Sequence, residues 1–256
     1  MKIQKIPPSH GLLWIKHGYR LIMRSPLHAL SLAMVFLMSL MLVMIIPVGG
    51  ILFAILLMPV MMAGYMRVCR ALEYSEKVIP RYIFSGFESR TAQLVSIGGM
   101  LLVGMLVVSM VTVMIGGDTL NTLITAYQKQ PDSSVMLEAM LAPDSGLMPS
   151  MLAGLILLFL LMLALQYAPM LVYFDQKTPI EALKLSMQGS LRNIVPLTVY
   201  SMLMQLLAFF VSVIPFNLGI FIFLPLALTS MYVSYRDIFA EEKVEASPPD
   251  MDQPAV

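Results

Sequence analysis

The chain has 256 residues, of which 59% are hydrophobic and 12% charged, with mean hydropathy +0.84 and net charge +1. Soluble domains carry about 25% charged residues, so this composition lacks the material for a water-facing surface. The near-zero net charge gives no case for nucleic acid as a partner. A single cysteine, Cys69, rules out an intrachain disulfide and any Cys-rich metal motif.

The amino-terminal segment holds His10, His17 and His28, the only histidines, at no metal-ligand spacing with a carboxylate. Its basic region is too long for a secretory leader, and Pro47-Val48-Gly49-Gly50 replaces a small-x-small cleavage site. We therefore read a retained first span. Residues 9–24 form an amphipathic helix with Lys16, Arg20 and Arg24 at i, i+4, i+8, and Trp14 and Tyr19 placed at headgroup level.

A helix needs about 20 apolar residues to cross the hydrocarbon core. Six stretches qualify: Leu27–Ile46, Val48–Met66, Leu94–Ile115, Met151–Phe174, Ile194–Ile214 and Leu218–Tyr235. The expected fold is all-α: six transmembrane helices, two interfacial amphipathic helices and a parallel internal repeat, as one domain over 1–240 with a disordered acidic tail at 241–256. Of the 16 lysines and arginines, 15 fall on one side of such a bundle, with only Lys129 on the other. The Lys/Arg excess predicts that both termini are cytoplasmic. Connection 116–150 is long and has enough spaced apolar residues for one or two short amphipathic helices.

The repeat rests on the spacing of rare residues. Lys16 and Lys184 stand eight before Arg24 and Arg192. Ile46-Pro47 and Ile214-Pro215 follow at matching distances, and Pro59 and Pro225 each precede an arginine, Arg70 or Arg236, by eleven. The units are 9–70 and 179–236, with the third and fourth spans as an inserted hairpin. The second unit opens on Thr178-Pro179-x-Glu181, a capping box with proline at N1. Pro26 and Pro196 predict a bend between each leading helix and its span.

The spans contain no Asp, Glu, Lys, Arg or His, which argues against proton coupling and intramembrane catalysis. Pro59, Pro169 and Pro225 lie within the three returning spans, as packing kinks or as hinges. Met34, Met38, Met41 and Met44 share one helix face; a thioether ladder suits Cu(I), but flexible packing explains it as well. Carboxylates such as Glu73 and Glu76 read as solvated loop charge. No catalytic motif and no metal or cofactor site is expected.

Arg70, Arg192, Arg236 and Asp237 are expected at the cytoplasmic interface as structural anchors, with the arginines capping helix ends. Lys16, Arg20, Arg24 and Lys184 are the expected contacts to anionic lipid. The expected role is non-enzymatic: organising lipid or other inner-membrane proteins. The alternative is an uncoupled path for a lipid-like or small apolar solute, lined by Gln166, Gln205 and Asn217. An enzyme would need Arg70, Asp175, Arg236 and Asp237 to converge.

Several motifs carry a resemblance: Gly11-x-x-Trp14-x-x-x-Gly18, Pro47-x-Gly49, Ile79-Pro80 with Phe84-x-Gly86-Phe87, Ala182-Leu183-Lys184-Leu185-Ser186 with Leu191-Arg192-Asn193, and Tyr232-x-x-Tyr235-Arg236-Asp237-Ile238-Phe239. On these the chain resembles an uncharacterised family of six-helix bacterial inner-membrane proteins. It is distantly similar to the membrane domain of some glycerophosphodiester phosphodiesterases. The resemblance implies a helical membrane fold and location, and no active site.

Overall fold

A computed structural model describes residues 3–129, 147–213 and 218–239. Helix α1 (His10–Arg24) stops where Ser25 turns extended ahead of Pro26, which opens α2 (Pro26–Met44). A short turn returns the chain into α3 (Gly50–Glu73). Gly49 takes φ 85° there, a left-handed conformation open to glycine. A 3-10 turn, Pro80–Phe84, and α4 (Ser85–Glu88) lead into α5 (Thr91–Lys129), which breaks at Gly117. Then follow α6 (Leu147–Leu165), α7 (Ala168–Tyr173), α8 (Pro179–Arg192), α9 (Ile194–Ser212) and α10 (Ile220–Ile238).

Five helical stretches are long and apolar enough to cross a membrane: Pro26–Met44, Gly50–Glu73, Thr91–Gly117, Leu147–Tyr173 and Ile194–Ser212. Helix α10 has comparable length, but its last turn carries Arg236 and Asp237. Helix α3 runs seven residues beyond the expected Met66, so Arg70 and Glu73 are helical. Its end is a Schellman closure: Ser75 N–H donates to Leu72 O and Glu76 N–H to Ala71 O.

Proline effects differ among the returning helices. Pro59 and Pro225 lie buried inside α3 and α10 as expected. Pro169 lies inside the Leu147–Tyr173 stretch as expected, but at the entry of α7, after a break at Gln166 and Tyr167, and not within a continuous helix. The break between α8 and α9 falls at Asn193, with Pro196 in the first turn of α9.

The short elements pack by one rule. Helix α1 lies on α10, the 3-10 turn and α4 lie on α3, and α8 lies on α6 and α7. Each covers the second long helix of another hairpin, and α1 closes the circuit back to the last helix. The middle hairpin thus also has a short element leading into it. Backbone 118–129 continues as helix past the Gly117 break. The remainder of the long connection up to 146, the Ile214-Pro215 turn with Asn217, and the tail from 240 lie outside the described residues.

Between lipid-soluble helices the hydrophobic effect offers little attraction, so close approach and hydrogen bonds must hold them. Small residues supply the approach. A Cβ on Gly64 would collide with Ile83 O, and one on Gly18 would lie 2.8 Å from Ser230 N.

Candidate functional site

The ends of α3, α7 and α10 meet with α1, α4 and α8 at one end of the bundle, where polar side chains interlock. The break before Pro169 leaves Leu163 O without its helical donor. Ser186 Oγ and Ser190 Oγ of α8 donate to it at 2.9 and 3.2 Å, and Tyr167 N–H donates to Ser186 Oγ at 3.1 Å. Tyr167 Oη is 2.9 Å from Ser234 Oγ of α10. Hydrogen bonding of this kind is what a freed carbonyl in a membrane requires.

Trp14 was expected at headgroup level. It is fully buried, edge-on to Tyr200 at 6.0 Å, and its Nε1–H donates to Asp237 Oδ2 at 2.8 Å. His10 Nδ1 lies 3.3 Å from the same oxygen. Helix α1 is therefore wedged between α9 and α10, because Gly11 and Gly18 beside Trp14 let the backbones approach. Its outer face still carries Leu12, Lys16, Tyr19, Arg20 and Met23, all exposed.

Glu73, expected in a solvated loop, ends α3 mostly buried and pairs with Arg236; Tyr232 Oη donates to its Oε2 at 2.7 Å. Arg24 donates to Leu72 O at 3.0 Å and to Glu73 O, capping α3. Arg90 donates to Gln176 O and to its Oε1, each at 3.2 Å, in the connection that follows α7. Arg70 lies over Phe174, 5.2 Å from the ring centre. Glu76 pairs with Arg67 at 2.8 Å.

Arg192 does not cap a helix: it is exposed and finds no acceptor among the described residues. Asn193 does that work. Its Oδ1 accepts from Ile6 N–H at 2.8 Å, and its Nδ2 donates to Gln4 O and Gly189 O. Gln4 N–H in turn caps Ile238 O at the end of α10. In α8 the buried face is Ala182, Ser186, Gly189 and Ser190, while Ile180, Lys184 and Leu191 face outward. The Thr178–Glu181 capping box is present. Hydrogen bonds from Thr178 hold the Glu181 carboxyl below the ordinary carboxylate range.

Each of the four groups an enzyme would need has a partner in the bundle. Asp175 accepts from Tyr235 Oη, Arg236 pairs with Glu73, Asp237 serves Trp14 and His10, and Arg70 stacks on Phe174. Among the described residues no group of three His, Cys, Asp or Glu is placed to hold a metal. Met38, Met41 and Met44 are exposed on the outer face of α2, and Cys69 is fully buried.

Two concavities stand out. One, about 250 Å³, lies between α1, the end of α3 and α10, and includes His17, Arg20, Arg24, Glu73, Tyr232 and Arg236. The other, about 680 Å³, opens laterally between α6 and α9, with Gln166, Thr198, Ser201 and Gln205 on its walls.

The chain is similar to a probable inner membrane protein of Burkholderia thailandensis, with 29% identity over 220 residues covering 83% of this chain and 78% of that one. No family model and no solved structure matches significantly. The likeness to the glycerophosphodiester phosphodiesterase membrane domain therefore stays a resemblance of sequence motifs alone. The apolar helices and the inner-membrane relative together make this chain a multi-pass inner-membrane protein.

Proposed function

We propose that this is a non-enzymatic, six-span inner-membrane protein that organises lipid or membrane-protein partners at the cytoplasmic boundary. The observation carrying this reading is the outer surface of the two longer leading helices. On α1, exposed Leu12, Tyr19 and Met23 alternate with Lys16 and Arg20; on α8, exposed Ile180 and Leu191 flank Lys184. Apolar and basic groups sharing one exposed face suit the depth where acyl chains meet anionic headgroups.

In this reading α10 is the sixth span and both termini are cytoplasmic, on the strength of the Lys/Arg bias. The internal repeat is extended from two units to three, each a short leading element followed by a hairpin, because all three short elements follow the same packing rule.

Purification of the full chain in mild detergent, followed by lipid analysis and protein mass spectrometry, tests the reading. Stoichiometric retention of lipid or of another membrane protein is expected. Recovery with neither, together with unchanged envelope lipid composition in a deletion strain, would contradict it.

A second reading is an uncoupled lateral path for a lipid-like solute. It is favoured by the placement of Gln166 and Gln205 on one cleft. Reconstituted protein would then speed the exchange of fluorescent lipid analogues between leaflets, and Gln166→Leu with Gln205→Leu would abolish the gain. Rates equal to those of protein-free vesicles would remove this reading.

A further inference from the structure

We infer that the concavity between α1, the end of α3 and α10 is a binding site for the phosphodiester of an anionic glycerophospholipid. The inference rests on the lipid-organising reading and gives it a place and a ligand class.

Among the described residues, three guanidinium groups, Arg20, Arg24 and Arg236, border this space of about 250 Å³ against a single carboxylate, Glu73. That carboxylate is already engaged, by Arg236 on one oxygen and Tyr232 Oη on the other. Arg24 is held by the carbonyls of Leu72 and Glu73, so its charge stays fixed without being neutralised. Arg20 has no acceptor among the described residues, and His17 borders the same space. The protein thus leaves an excess of positive charge with two of its three arginines positioned in advance.

The planar fork of a guanidinium matches two phosphate oxygens at once, and such charge-assisted pairs are stronger than neutral ones. The depth is that of a headgroup, since Glu73 and Arg236 occupy the last turns of α3 and α10. Tyr19 and Met23, exposed on the neighbouring face of α1, provide apolar surface beside the basic groups for the acyl chains. A zwitterionic headgroup would bring a second cation beside Arg20 and Arg24, with no free carboxylate among the described residues to receive it. The site therefore selects a lipid of net negative charge, and one monoanionic headgroup would satisfy Arg20.

The test is native mass spectrometry of the full chain in mild detergent, with equimolar phosphatidylglycerol and phosphatidylcholine added. One phosphatidylglycerol should be retained in preference by about tenfold, the scale of one charge-assisted contact. Arg20→Gln, an exposed position, should erase the preference without lowering the melting temperature. Lys184→Gln, on the other basic face, should leave it intact. Equal retention of both lipids, or a preference that survives Arg20→Gln, overturns this inference and leaves the broader reading standing. Loss of every lipid and every protein partner defeats both. A parallel titration with inorganic phosphate identifies the source. If phosphate alone competes at equal concentration, the site takes the free anion, and the lipid assignment is wrong.

Discussion

The two ends of this bundle are built differently. At the basic end, α1, α4 and α8 fill the spaces between long helices, and glycine, serine and buried aromatic side chains lock them together. Towards the other end the long helices lean on fewer neighbours. In α3 every residue from Pro59 to Met66 is buried, whereas Ile51, Leu52 and Phe53 at its other end are exposed. With no hydrophobic force between lipid-facing helices, the end that has close backbone approach and satisfied polar groups carries the stability. The looser end is where lipid has access to the helices.

The sharpest way to break this comparison is to enlarge a contact glycine. Gly64→Val would drive the new Cβ into Ile83 O, and backbone cannot yield as a flexible side chain does. The expected cost is about 3 kcal/mol or more, a fall of roughly 2–4 °C in melting temperature per kcal/mol for a chain of this size. An unchanged melting temperature in detergent would show that the basic end is not rigid.

Trp14→Phe keeps a ring against Tyr200 and removes the donor to Asp237. We expect a loss of about 2 kcal/mol, as for other hydrogen bonds to charged groups. A double-mutant cycle with Asp237→Asn should show coupling, and strict additivity would contradict the assigned contact.

Ser230 Oγ is buried and finds no hydrogen-bond partner among the described residues. Ser230→Ala should therefore stabilise by about 1 kcal/mol, read as a rise in melting temperature.

At the looser end, Phe209 is exposed on α9, and Phe209→Ala should change stability by no more than about 0.5 kcal/mol. A large loss there would mean that the looser half is packed against something in the native membrane.

A smaller effect concerns acid. The lowered carboxyl of Glu181 supports the first turn of α8 at neutral pH. That support is lost as pH falls through the depressed value, so the protection of Thr178 N–H, which donates to this carboxylate, against hydrogen exchange should fall only in acid.

The apolar runs made the long helices legible, and the Thr178–Glu181 box marked the start of α8 from four residues. Helix ends were harder to read. The span at Val48–Met66 looked complete on hydropathy, yet α3 continues through Arg70 to Glu73, which turned a supposed loop carboxylate into the partner of Arg236. Hydropathy also hid the buried faces of α1 and α8. Interfacial reasoning put Trp14 at the headgroups, whereas Gly11 and Gly18 on the same face signal close packing on a neighbouring helix. Ser186 and Ser190 escaped notice because their acceptor, Leu163 O, becomes free only through a break that proline 169 imposes elsewhere in the chain. Arg192 was singled out for its charge, while its neighbour Asn193 supplies both the donor and the acceptor that the amino-terminal segment needs.

The most direct test of six spans with a cytoplasmic basic end is labelling of intact cells with a membrane-impermeant maleimide. The background is Cys69→Ala, with single cysteines introduced as Lys77→Cys, Lys129→Cys or Ser247→Cys. The account predicts that Lys129→Cys is labelled from outside and the other two only after the membrane is permeabilised. Labelling of Ser247→Cys in intact cells would leave an odd number of crossings, and labelling of Lys77→Cys would reverse the orientation; either result would contradict it.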